Sequence, residues 1–447
     1  MTQAPAMARP RPAIPRLVQT LILTTPAVFV VLVVAQISLP VAGAIYGILF
    51  LGLTFVRPGT ALMVMLATAL FPYDVAIGLP VKTALGEISL ILALPSFLHR
   101  CAAAGRTPRL PPFIIPTVLY FLICLASVGR GGVDASVLVS TAQMILYLVV
   151  AVVFFSSFTD KPAMLRRALQ AVLVSGLILG IATLVEQSGY VLGMHKNAVG
   201  ASLSFATVIA VELWISEPER KAKRWYAITM GIVAAGLLMS CSRGGWLGAS
   251  GGITVIFLLR RRVKLLVRCL CILVPILAAC WFWMPESAKE YALDIQTDAH
   301  STQSRLDSIE YAMPYFYSSP IIGSGVGLRK QYDATNVIVS TLAETGALGL
   351  AAFIAIHLSF FWMVWKTTRR LRFDDPRFTF ATVGGGLVLC QFIHGSFDHY
   401  WARTLLVVWG SAGMATYAYY SCRHVASAPN GRHAIEPGLT SNSRRSA

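Results

Sequence analysis

Apolar stretches of about 20 residues, each long enough to cross roughly 30 Å of hydrocarbon as a helix, recur from residue 17 to residue 421. Hydrocarbon offers no partner to the backbone of an exposed strand, so these stretches are expected to be helices. Spans are expected near 17–37, 40–56, 59–77, 82–98, 112–128, 135–156, 164–186, 196–215, 225–240, 244–260, 264–284, 336–364, 378–396 and 403–421. The connections between spans 1 and 2, 2 and 3, and 9 and 10 are very short. The expected fold is all-α, a polytopic integral membrane protein of about 12–14 transmembrane helices with one large periplasmic loop. Helices 1–11 fill 17–284, the loop covers 285–335, and helices 12–14 fill 336–421. A cytoplasmic tail occupies 1–16, and a Ser-, Arg-, Gly- and Pro-rich tail over 422–447 reads as disordered. Composition agrees: 13% of residues are charged, against about 25% in a soluble domain.

Basic residues set the orientation. With the N-terminus in the cytoplasm, 28 of the 37 Lys and Arg fall in cytoplasmic segments, the positive-inside pattern. Runs such as Arg220–Arg224 and Arg260–Arg268 lie on that side. The net charge of +17 is therefore split among short loops, and no nucleic-acid partner is needed to account for it. The N-terminal basic segment precedes an apolar stretch too long for a signal peptide. The eight cysteines lie in or beside spans, without a paired framework or metal-ligand spacing.

Function is expected on the other side. Long loops within compact folds are usually functional, and the loop over 285–335 faces outward with three polar turns. These are Met194-His195-Lys196-Asn197, Ser240 to Trp246, and His394 to Trp401. Arg243 sits between two apolar spans with almost no loop around it, where a charge is costly to bury; the alternative is a side chain snorkelling to the headgroups. Within the loop, Ser304 is expected to cap a short amphipathic helix, with Asp307 reaching back, until Pro314 interrupts it. Arg305 would then lie in the first turn, where the helix dipole disfavours a cation unless an anion binds there. The alternative is an ordinary exposed arginine.

Ser240-Cys241-Ser242-Arg243-Gly244-Gly245-Trp246 resembles the "SRG-W" signature of the O-antigen ligase and polymerase superfamily. Arg305 is followed by Pro320-Ile321-Ile322-Gly323-Ser324-Gly325-Val326-Gly327, similar to that superfamily's "P-x-x-G-x-G-x-G" turn. Asn336 and Glu344-Thr345-Gly346-Ala347-Leu348-Gly349 then match its "His-Asn … Glu-x-Gly-x-x-Gly". The resemblance covers roughly 190–420, and its strength lies in order and spacing. It implies an inverting, metal-independent glycosyltransferase (GT-C-like, lipid donor) in the bacterial inner membrane, with its site facing the periplasm and no cofactor. Its substrates would be an undecaprenyl-pyrophosphate-linked oligosaccharide donor and a glycan acceptor. Its partners would be the bilayer, a chain-length regulator and export proteins. By this likeness Arg243 and Arg305 are the catalytic residues, holding the pyrophosphate. Ser242, His195, Lys196, Asn197, Arg329, Asn336, Glu344, Asp398 and His399 are the expected substrate contacts, with Glu344 orienting an arginine or capping a helix.

One departure steers the choice within the superfamily. Ligases carry a loop histidine where this chain has Thr335, and a threonine cannot accept a proton at neutral pH. That favours a polymerase of repeat units over a ligase to lipid A-core. A base is sought instead among His195, His399, Asp398 and Asp333. A transporter of lipid-linked oligosaccharide is the rival from another class. The scarcity of mid-membrane charge and of paired broken helices speaks against it.

Overall fold

The computed structural model describes residues 39–71, 75–76, 82–131, 134–186, 190–268, 299–328, 335–398, 400–401 and 404–426, with isolated positions between 271 and 286. The expected span 17–37, most of 264–284, the N-terminal tail, residues 427–447, and Arg329, Asp333 and His399 lie outside them; 422–426 continue the last helix.

The chain is a helical bundle. Its first helices are α1 (Leu39–Val56), α2 (Pro58–Ala69), α3 (Leu85–Ala103) and α4 (Ile114–Gly131). Next, α5 (Ala135–Ile145) runs through a π-helical turn (Leu146–Ala151) into α6 (Val152–Ser157). Then come α7 (Pro162–Glu186), α8 (Lys196–Ser216), α9 (Arg220–Met239), α10 (Arg243–Leu259), α11 (Ala299–Ser318), α12 (Val337–Arg370), α13 (Pro376–His394) and α14 (Leu405–Ala426). Two hairpins interrupt the helices. Val75–Ala76 pairs with Lys82–Thr83, and Tyr190–Val191 pairs with Met194–His195. Among the described residues, five helical segments are long and apolar enough to cross a membrane: Leu85–Ala103, Ala135–Ser157, Pro162–Glu186, Lys196–Ser216 and Val337–Arg370. Shorter apolar helices stand beside them.

The bundle is built around α8, whose apolar window is 89% buried. A helix that is apolar on every side belongs inside. It packs against α7, α9, α10 and α13. Close approach depends on glycine: a Cβ on Gly252 of α10 would sit 2.6 Å from the Gly386 carbonyl oxygen of α13. The caps follow sequence chemistry. Asp134 Oδ1 accepts from Val137 N at 2.9 Å to start α5, and Asp375 Oδ1 accepts from Arg377 N at 2.8 Å, with Pro376 opening α13.

Three expectations need correction. The stretch 59–77 is not one helix, because α2 ends at Ala69 and Val75–Ala76 is already strand. The helix carrying Arg305 does not begin at Ser304: Ala299 to Gln303 are already helical, so Arg305 lies beyond the first turn and Ser304 is no cap. Pro314 does not interrupt that helix, which runs through to Ser318; a proline forfeits one backbone bond and strains the turn before it without always ending the helix. Charge is also buried near helix ends. Arg260 Nε donates to Glu212 Oε2 at 2.8 Å, both side chains almost wholly covered. Tyr147 in the π-helical turn donates to the buried Glu87.

Candidate active site

Two helices start against each other at one end of the bundle. In α8, His195 is the N-cap, its Nδ1 accepting from Asn197 N at 3.4 Å. In α10, Ser242 is the N-cap, its Oγ accepting from Gly245 N at 3.3 Å. Gly200 lets them touch: a Cβ there would lie 2.2 Å from Ser242 Cβ, and one on Gly245 would lie 2.9 Å from the Gly200 carbonyl oxygen. Ser242 is therefore buried and Arg243 partly exposed, one residue into α10. The turn that delivers them puts Cys241 in the left-handed region, φ 52°, a conformation non-glycine residues rarely adopt. Burial raises the Cys241 thiol's pKa, and the nearby Lys196 ammonium opposes it. Two cations, Lys196 and Arg243, thus flank two helix N-termini, where backbone N–H groups and helix dipoles already favour an anion.

The last turn of α13 closes this corner. A Cβ on Gly244 would meet Phe397 Cβ at 3.4 Å and His394 Cδ2 at 3.5 Å. His394 is buried and Asp398 partly exposed one residue past Phe397. The same turn holds the start of α12. Val337 N donates to the Gly395 carbonyl at 2.9 Å and Asn336 Nδ2 to the Ser396 carbonyl at 3.1 Å. Asn336 Oδ1 meanwhile caps α12, accepting from Ile338 N and Val339 N. Thr335, just before it, is left-handed at φ 48°, a costly state for a β-branched residue. Its Oγ1 lies 3.1 Å from Ser308 Oγ, and Ser308 Oγ donates to the Arg305 carbonyl at 2.8 Å. The helix bearing Arg305 is thereby tied through Thr335 and Asn336 to the turn that packs on Gly244, beside Arg243.

Glu344 belongs to a separate construction, two turns along α12. Its carbonyl accepts from Gly325 N and its Oε1 from Gly327 N, both at 3.1 Å. The glycine turn docks where α12 kinks at Gly346 (φ 65°, ψ −168°), backbone open essentially to glycine alone. A Cβ on Gly323 would sit 2.3 Å from the Glu344 carbonyl carbon. Glu344 therefore clamps the turn.

Residues 228–354 match the family model described as O-antigen ligase. This segment is similar to an O-antigen ligase domain. No curated protein matches the chain. The domain runs from within α9 to within α12 and holds Ser242, Arg243, Arg305, Asn336 and Glu344. His195, Lys196, Asn197 and Asp398 lie beyond its limits, and the fold sets them beside it. Sequence alone does not pick out Cys241, Ser308 or His394 as site residues, and it marks Thr335 only as standing where ligases carry a histidine. Backbone strain and a cross-chain hydroxyl pair leave no mark in a sequence, whereas His394 stood within a polar turn already noted. Among the described residues no group of three or more His, Cys, Asp and Glu is placed to hold a metal. Asp307 Oδ1 accepts from Gln303 Nε2 at 2.6 Å, and Asp294 and Asp298 lie outside the described residues.

Proposed function

We propose that this O-antigen ligase-family chain is a polymerase. It joins undecaprenyl-pyrophosphate-linked oligosaccharide repeat units into a surface polysaccharide at the periplasmic face of the bacterial inner membrane, by inverting glycosyl transfer. The observation that carries this reading is the corner where α8 and α10 start together with Lys196 and Arg243 beside them. The acceptor hydroxyl attacks C1 of the donor sugar, the C1–O bond to pyrophosphate breaks, and the hydroxyl proton leaves to a base or water. Negative charge grows on the departing pyrophosphate. Fixed guanidinium groups and helix N-termini stabilise that charge where it develops, and Arg243 and Arg305 are assigned this task. The product remains lipid-linked, so a chain-length regulator and export proteins would act next.

His195 is a poor base as placed. Its Nδ1 lone pair accepts from Asn197 N, so the neutral ring keeps its proton on Nε2. Asp398, on the turn against Gly244, is better located. Thr335 stands where a ligase histidine would, its hydroxyl engaged with Ser308, which supports polymerase over ligase. Deleting the gene separates the two. The proposal expects single repeat units to persist while long polymer disappears. Full-length polymer left on its lipid carrier, unattached to an outer acceptor, would establish a ligase.

A further inference from the structure

The exposed face of α12 carries a second pattern, at the opposite end from the candidate site. Ile354 and Leu358 are exposed and share one stripe with Trp362, Trp365 and Arg369, as 3.6-residue spacing requires. From Ile354 to Arg369 the stripe rises about 22 Å at 1.5 Å per residue, most of a bilayer's hydrocarbon thickness of about 30 Å. It is apolar for its first two members, indole for the next two, and cationic at its end. Trp362 and Trp365 are 50% and 47% exposed. Each lies under a cation one turn on: Lys366 Nζ is 4.4 Å from the Trp362 ring centroid, and Arg369 Cζ is 4.5 Å from that of Trp365.

Two facts distinguish this ladder from other basic side chains at the same end. Neither Lys366 nor Arg369 has an ion pair among the described residues, whereas Asp374 and Asp375, nearby in the chain, are taken by Arg372 and Arg377. Elsewhere at this end a cation lies over a buried or partly buried ring, as Arg260 does on Phe378, Arg109 on Tyr417 and Lys223 on Trp214. Only on α12, among the described residues, does an exposed apolar stripe lead to exposed indoles capped by unpaired cations. Indoles settle at headgroup depth, and cations beside them attract anionic lipid.

We infer that Trp362, Trp365, Lys366 and Arg369 form a binding site for the phosphate of an anionic glycerophospholipid in the leaflet at the basic end of the bundle. The lipid's acyl chains would lie along Leu358 and Ile354. The site is independent of which glycan reaction occurs at the other end.

The full chain is reconstituted in nanodiscs holding equal amounts of phosphatidylglycerol and phosphatidylcholine, and retained lipid is counted by native mass spectrometry. The wild type is expected to keep phosphatidylglycerol in preference. Removing one cation should lower that preference about fivefold and Lys366→Gln with Arg369→Gln tenfold or more, since each cation near an anionic surface is worth about 1 kcal/mol. Trp362→Leu with Trp365→Leu should also reduce retention with the charges intact. Arg372→Gln, which removes a cation already bonded to Asp374, should leave it unchanged. Equal retention of both lipids by the wild type, wild-type preference in the double cation variant, or equal loss in Arg372→Gln would overturn the site. A bound protein in place of lipid would show as the first of these.

Discussion

Arg243 and Arg305 reach their positions by different means. Arg243 is fixed by a helix start wedged between Gly200 and the α13 turn. Arg305 rides on a helix tied down through Ser308 and Thr335. If both act on one leaving pyrophosphate, Arg243→Ala and Arg305→Ala should each lower transfer about 10²–10³-fold, or roughly 3–4 kcal/mol. Membrane insertion should be unaffected. Arg→Lys should rescue poorly, because an ammonium keeps the charge and loses the planar fork. The double variant should fall short of the product of the singles, as groups serving one leaving group do. Near-normal chain length in both single variants, at normal protein levels, would move the site elsewhere. Sequence alone singles out both arginines because each looks awkward in the expected topology. The reason first given for Arg305, a place in the opening turn of a helix, was wrong, since α11 starts earlier.

At the scale of elements, α12 is two helical segments divided at Gly346, and the glycine turn 320–327 is packed into the division. The spacing of those glycines was visible in the sequence. That they serve one kink, with Glu344 as the clamp, was not, because a backbone-to-backbone fit has no side-chain signature. Gly346→Ala should cost about 1–3 kcal/mol from backbone strain alone, and more because the new Cβ would lie 2.4 Å from the Ile321 carbonyl carbon. Gly200→Ala should act differently, pushing Ser242 away and lowering activity more than thermal stability. Measuring unfolding midpoint and transfer rate on both variants checks this split. Equal effects of the two on both measures would mean that the α8–α10 contact is only structural.

Across the whole molecule, hydropathy alone foretold most of the helices, since a lipid-crossing helix must be long and apolar. It missed the hairpins, whose strands are two residues each. Glu212 and Arg260, buried near helix ends, join α8 to α10, with Arg260 also near Thr379 of α13. Glu212→Leu should destabilise by about 3–5 kcal/mol by stranding a buried guanidinium, while Glu212→Leu with Arg260→Met should recover most of that. Thermal unfolding in detergent reads both, and a double variant as unstable as the single would show that the pair contributes more than compensation. The account as a whole rests on glycosyl transfer from a lipid-linked pyrophosphate. The most direct measurement incubates the purified chain with a defined undecaprenyl-pyrophosphate-linked repeat unit in the presence of a strong chelator. The prediction is a ladder of longer lipid-linked glycans with release of undecaprenyl pyrophosphate. An unchanged repeat unit under every condition would contradict the account, and a ladder formed only when magnesium or manganese is restored would contradict its metal-independent chemistry.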